Sequence, residues 1–259
     1  MMVDYLCYRT PAPIQVDGRL DKEVWRHAPC MPRFGKIADG ALVPFDSRAA
    51  MLWDEQNFYV SFRLDERDVW STQEERRGLV WQENTVEVFI SGSGAYYQLS
   101  LNAMNRTSEM IFIWKDSYIR GGRYDVPEFN LAKHRPMVFG GDSGPHDPRG
   151  MRWGFTQWHF PGLQTAVRVE GDLNDRNVID RGWNVELAFP WEGMSRLADG
   201  ATPANDGDIW RIGLARHEVI DQRASRHIAV WTPYPMGQSD MHAPDRYPTV
   251  KFVGDKVKI

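Results

Sequence analysis

Trp81, Glu87, Gln98, Ser100 and Asn102 stand close together in the runs WQENTVEVFI (81–90) and YQLSLN (97–102). A flat aromatic beside a carboxylate, an amide and a hydroxyl suits a sugar. The ring packs on the C–H face of a pyranose, and the polar groups exchange hydrogen bonds with its hydroxyls. The competing reading is an antiparallel strand pair with an ordinary solvated face.

Two strands must position these groups. Read with a period of two, Val86, Val88 and Ile90 share one face, and Thr85, Glu87 and Phe89 the other. The second run places Tyr97, Leu99 and Leu101 on one face, with Gln98, Ser100 and Asn102 opposite. If the apolar sets share a core, Glu87, Gln98, Ser100 and Asn102 form an open polar face with Trp81 at its entrance.

The same half-buried pattern recurs along the chain. Residues 11–16 read as a strand entering the Asp17-Gly18 turn, after which Asp21 caps a helical turn carrying Val24 and Trp25 inward. Residues 48–53 and 58–64 make a hairpin around 54–57. Residues 65–79, with Glu74-Glu75-Arg76-Arg77, read as a charged loop or short helix. Further strands are expected at 109–114, 165–170, 183–189, 209–215, 227–231 and 247–252. Pro248 marks the last as an edge strand. Residues 120–164 are rich in Gly and Pro, and such a long irregular stretch reads either as a lid over the site or as a wrap around the sheet edge. With no internal repeat and no linker, residues 1–259 read as one all-β domain, an antiparallel β-sandwich of jelly-roll type with a long irregular loop insertion.

Composition narrows the function. The formal net charge is −4 and acids and bases are well mixed, so no basic footprint for nucleic acid stands out. No apolar run reaches the ~18 residues of a membrane span. As given, the chain reads as cytoplasmic, or as extracellular if an export signal has been trimmed. Cys7 and Cys30 make no disulfide framework and are expected as unpaired thiols. The count of 11 tryptophans is high for 259 residues, so most are expected in the core and a few in a binding platform. H-E-x-x-H, P-loop, G-x-G-x-x-G and GxSxG patterns are absent. Asp172, Asn174 and Asp175, with Asn177 and Asp180, form an acidic turn that is either a candidate calcium site or a plain polar turn.

The runs WQENTVEVFI and YYQLSLNAMN resemble family 9 carbohydrate-binding modules and their stand-alone relatives. IQVDGRLDKEVW, DRGWNVELAFPW and VWTPYPMGQSDMHAPDRYPTVKF agree in order. The resemblance implies a sugar held between two tryptophans, Trp81 and Trp231, with Glu87 as acidic ligand and Asn102 as amide ligand. Where characterised modules carry an arginine between those two, this chain has Ser100, which lacks the guanidinium fork. Arg211 and Arg216 are candidates to replace it. His242, in DMHAPDRY, either hydrogen-bonds a ligand hydroxyl or fixes the closing loop.

The expected function is non-catalytic binding of a mono- or oligosaccharide, with no nucleic acid, no membrane and no required cofactor, calcium remaining a candidate. The alternative is a glycan-active hydrolase or lyase using Glu87 and His242. Glu83, Asp240 and Asp245 are candidate second carboxylates, and His217 a candidate base. A third reading is a haem-binding β-sandwich using Met104 and loop histidines His134, His146 and His159.

Overall fold

A computed structural model describes residues 3–75, 80–140, 149–200, 202–221 and 227–259. His146 and the Arg76-Arg77 pair fall outside the described residues. The chain forms β1 (Tyr5–Arg9), helix α1 (Glu23–His27), β2 (Gly35–Lys36), β3 (Ser47–Trp53), β4 (Asn57–Asp65), β5 (Thr85–Ser91), β6 (Ala95–Asn102) and β7 (Thr107–Trp114). It continues through α2 (Leu131–His134), β8 (Met137–Phe139), β9 (Arg152–Phe155), β10 (Gln164–Glu170), β11 (Gly182–Pro190), β12 (Ile209–Asp221), β13 (His227–Thr232) and β14 (Thr249–Lys256).

Hydrogen bonding runs in the order β10-β11-β4-β3-β1-β14-β12-β5-β6-β7-β9-β8, with β13 on β12 and β2 on β13. The sheet folds over on itself, so that its first half packs on its second as a sandwich. Tyr97 of β6 meets Phe189 of β11 with ring centroids 6.3 Å apart. The alternation read from the sequence places the residues as expected: Val86, Val88, Ile90, Tyr97, Leu99 and Leu101 all lie in the shared core. No helix among the described residues is long and apolar enough to cross a membrane.

Four expectations are corrected. The first strand lies at Tyr5–Arg9, not at 11–16, which is irregular. Pro11 and Pro13 deprive that segment of ladder donors, and Ile14 docks its N–H on the Tyr59 hydroxyl at 3.4 Å instead. The sandwich is not wholly antiparallel, because β1 pairs parallel with both β14 and β3. The last strand is central rather than an edge: β14 lies between β1 and β12, and Pro248 stands just before it. Helix α1 begins after Lys22 with no side-chain cap, so Asp21 does not cap it. Trp25 does turn inward, and its indole N–H donates to Glu186 at 2.6 Å.

The described part of the stretch 120–164 supplies structure. Its β9 and β8 extend the sheet beyond β7, while Trp158 and Phe160 enter the main core. Both cysteines are free, Cys7 buried and Cys30 exposed.

Between the layers lies a charged cluster. The fully buried Arg216 reaches Glu66 at 2.7 Å and Glu218 at 2.8 Å, and its guanidinium stacks 5.0 Å from the Trp231 ring and 5.6 Å from Phe45. Asn84 donates to both carboxylates. Burial pushes the Glu218 carboxyl up to about 8; Arg216 opposes the shift and the Glu66 charge adds to it. A carboxyl raised from 4.5 stabilises the fold fully below 4.5, and that stability is lost as pH rises through about 8. Replacing Glu218 by Gln is therefore expected to flatten the decline of Tm across that window, as thermal melts at stepped pH would show.

Candidate ligand cleft on the outer face

Antiparallel register brings one polar row together across four strands. Ser100 of β6 stands opposite Glu87 of β5 and opposite Ser108 of β7, while Ala215 of β12 faces Glu87 from the other side. His217, two residues along β12, lies on the same face. Ser100 Oγ donates to Glu87 Oε1 at 2.5 Å, and Gln98 Nε2 donates to the same oxygen at 3.0 Å. His217 Nε2 meets Glu87 Oε2 at 3.1 Å.

Glu87 is 1% exposed. Burial alone would raise its carboxyl, but the His217 charge and the bonds from His217, Ser100 and Gln98 outweigh it and hold it below 4.5. Burial likewise opposes protonation of His217, yet the Glu87 charge prevails and lifts the ring above 6.5. The floor of the cleft is thus a carboxylate–imidazolium pair. His217 Nδ1 is buried without a partner in hydrogen-bond geometry, although the Trp81 backbone still favours the protonated ring.

The signs of these shifts define a pH window. The contribution of Glu87 is complete above 4.5 and lost as pH falls through its lower folded pKa. That of His217 is complete below 6.5 and lost as pH rises through its higher folded pKa. The pair is fully formed between those values. Removing the carboxylate charge with Glu87→Gln takes away the largest opposition to burial, leaving the Trp81 backbone and Asp240, so the His217 pKa is expected to fall, which NMR titration of the imidazole would read.

Above this floor is a cleft of about 420 Å³ walled by Trp81, Met110, Met137, Phe139, Val230 and the 239–242 segment. Trp81 is 44% exposed and forms part of the mouth. Gly213 of β12 lies against the Tyr247 ring, and a Cβ there would sit 2.8 Å from it. Only the smallest residue lets Tyr247 and Met241 settle on the strand and close this side of the cleft.

His242 is held from behind. Its Nδ1 lies 2.9 Å from the Tyr96 hydroxyl, to which the buried Arg152 Nε donates at 2.7 Å. Arg152 also donates to the His242 carbonyl at 3.0 Å. Phe112 packs against the ring with centroids 4.9 Å apart and Phe139 at 5.4 Å. Burial pushes the His242 pKa down, with Asp240 and Glu87 opposing, so the ring is neutral at neutral pH. In the neutral tautomer that accepts from Tyr96 at Nδ1, the proton sits on Nε2 and the ring is a donor to the cleft, not a base.

Of the residues singled out from the sequence, Trp81, Glu87, Gln98, Ser100 and His242 come together here. Trp231 and Asn102 do not. Trp231 is 1% exposed and lies in the inter-layer core. It pairs with Arg216 in register, so it shares the inward face of β12 while its neighbour Val230 lines the cleft. Asn102 is fully buried: its amide donates to Gln73 O at 3.1 Å and to Glu83 at 3.4 Å, and its oxygen accepts from the N–H groups of Met104 and Arg106. It closes the β6–β7 turn.

Neither arginine replaces the missing fork. Arg216 points between the layers, and Arg211 donates to the Tyr247 carbonyl at 2.8 Å. Glu83 is occupied in tying down residues 71–73, accepting from Ser71 Oγ at 2.7 Å and from Thr72 N at 2.8 Å. Asp240 lines the cleft, whereas Asp245 is exposed on the 244–246 turn.

Oxygens of the acidic turn are taken up by backbone N–H groups, its own and those of Val69 and Ser71. Asn174 Oδ1 accepts from Ser71 N at 2.9 Å, Asp175 Oδ1 accepts from Asn177 N at 3.0 Å, and Asp172 N donates to Asp180 at 2.8 Å. Among the described residues no three His, Cys, Asp or Glu side chains are gathered for a metal ion. Of the haem candidates, Met104 sits in the β6–β7 turn, His134 ends α2, and His159 pairs with Glu109 at 3.1 Å.

The cleft walls Met110, Met137, Phe139 and Val230 and the His217 pairing went unread in the sequence. A signal for His217 exists: Gly213 and Ala215 precede it at a period of two, marking a strand face closely covered by other chain.

A concave, mainly apolar cleft with a few convergent polar groups has the make-up of a small-ligand site, and comparison with known proteins narrows it. Residues 16–107 match the sequence model of carbohydrate family 9 binding domain-like proteins. A family 9 module from Caldicellulosiruptor kristjanssonii solved with cellotriose is 13% identical, covering 96% of this chain and 94% of that one, with a TM-score of 0.55. A family 9 module from the same organism solved with glucose is 12% identical, covering 98% of each chain, with a TM-score of 0.55. A protein from Bacteroides uniformis ATCC 8492 is 14% identical over 96% of this chain and 99% of its own, with a TM-score of 0.61. No curated protein matches the chain. Residues 16–107 thus carry the family 9 sequence pattern, and over nearly the whole length the fold is that of solved family 9 modules.

Proposed function

We propose that this protein binds carbohydrate in the cleft over β5, β6, β7 and β12, without chemical turnover. The observation that carries the reading is a half-exposed tryptophan standing beside a pre-organised row of Gln98, Ser100, Glu87 and His217 in a concave site. Such a site holds a pyranose by its apolar face and its hydroxyls together. Solved family 9 modules bound to cellotriose and glucose support a sugar as the ligand class.

Trp81 is the stacking residue, and the partner tryptophan expected from the family is replaced by a softer wall of Met110, Met137, Phe139 and Met241. Glu87 acts mainly as an organiser: Oε1 already accepts from both Ser100 and Gln98, and only Oε2, paired with His217, keeps a lone pair for a sugar hydroxyl. His242 and Gln98 supply further polar contacts. A hydrolytic mechanism would need a second carboxyl held protonated across the bond to be cleaved; Glu87, held ionised, has the state of a nucleophile or base and not of that acid.

The test is calorimetric titration with glucose, xylose, cellobiose and xylobiose, with products checked by chromatography. Wild type is expected to bind one of these saturably and leave it unchanged. Trp81→Ala is expected to weaken binding by about tenfold or more, as loss of a stacked ring implies, with little change in Tm because the side chain is half exposed. Product formation, or binding indifferent to Trp81, would reject the reading.

A further inference from the structure

A second concavity, remote in sequence from the cleft, lies on the outer face of β4, β11 and β10. The strand register aligns Arg63, Asn184 and Arg168 in one row across three adjacent strands. Arg19, from the turn before α1, and Arg181, at the start of β11, complete a groove of about 550 Å³. All four arginines are exposed. None of them forms an ion pair among the described residues, in contrast to Arg33 and Arg48, which share Asp46.

The walls of this groove are rigid. The 17–18 turn is pinned by two backbone N–H groups on the buried Glu186 at 2.9 and 2.8 Å, and Lys22 and Trp25 hold the same carboxylate. On the opposite side Asp180 accepts from Asp172 N and Val69 N, fixing the loop that carries Arg181. Asn184, buried at the floor, donates to Glu170 at 2.6 Å.

We propose that this groove binds the carboxylate groups of an acidic, uronate-bearing sugar chain. Four guanidinium forks with no ion pair among the described residues, in a chain of net charge −4, mark a local site for oxyanions. Strands lie roughly 4.8 Å apart, so Arg63 and Arg168 stand about 10 Å apart across the row, a span suited to spaced charges rather than to one small ion. Glu170 and Asp21 also line the groove. They would repel the dense charge of nucleic acid or an anionic membrane, but they accept hydrogen bonds from sugar hydroxyls. The mixture fits a polyhydroxylated chain with sparse negative charge.

The proposal does not depend on the cleft, and its test separates the two. Full-length protein would be titrated at low salt with trigalacturonate, cellotriose, duplex DNA and phosphatidylserine vesicles. The series would be run on wild type, Arg63→Ser/Arg168→Ser and Arg63→Lys/Arg168→Lys, with thermal melts to confirm folding. Wild type is expected to bind trigalacturonate in a salt-sensitive manner, more tightly than DNA or vesicles. The serine variant should lose about tenfold or more, the lysine variant less, and any cellotriose binding should stay unchanged in both. Absence of trigalacturonate binding, binding indifferent to the serine substitutions, or tighter binding of DNA or vesicles would each overturn it.

Discussion

Replacing Arg216 by alanine is expected to destabilise the protein by about 3–5 kcal/mol, because it removes the buried cation that Glu66 and Glu218 share. Glu66 and Glu218 are both buried, and Arg216 is the cation that reaches them, at 2.7 and 2.8 Å. A loss of that size lowers Tm by on the order of 10 °C in a chain of this length. Replacing the whole cluster with Arg216→Met, Glu66→Leu and Glu218→Leu should cost clearly less than the single change, since no uncompensated charge remains. Chemical denaturation of both variants would measure this, and a triple variant less stable than Arg216→Ala would contradict it.

Trp231→Ala is expected to cost a similar amount, about 3–5 kcal/mol, through the cavity left by a large buried ring. The ring packs against Phe45 at 6.3 Å and covers the Arg216 guanidinium at 5.0 Å. Because the two residues touch, the double variant Arg216→Ala/Trp231→Ala should lose less than the sum of the singles. The contrast with Trp81 is the informative part. Trp231→Phe, which keeps most of the core volume, is expected to preserve sugar binding, whereas Trp81→Ala weakens binding and spares stability. Denaturation and titration of the same samples would separate the two roles.

Much of this arrangement is legible in the sequence, and the limits have physical causes. The alternation in 85–91 and 96–102 is clean because one face is wholly apolar, so the polar face with Glu87, Gln98 and Ser100 followed directly. Asn102 obeys the same alternation but stands last in its strand, where the chain turns and the backbone of Met104 and Arg106 captures its side chain. Alternation cannot tell a binding face from a turn.

Trp231 shows a different limit. An inward face normally reads as apolar, but in β12 that face carries Arg216 and Glu218, which disguises which side of the neighbouring β13 is the core. Nothing local in AVWTP says that Val230 rather than Trp231 meets the ligand cleft. The apolar wall from Met137 and Phe139 was hidden for a third reason. A three-residue strand set in an irregular stretch has too few residues to show a period.

The parallel pairing of β1 with β14 joins strands from opposite ends of the chain. Such long-range pairing leaves no local trace.

The most direct test of the account is a crystal structure of the protein with whichever neutral sugar titrates most tightly. The account predicts a pyranose ring stacked on Trp81, over the Gln98–Ser100–Glu87–His217 row, with Trp231 buried and untouched. A sugar seated elsewhere, or one lying against Trp231 after a rearrangement of β13, would contradict it.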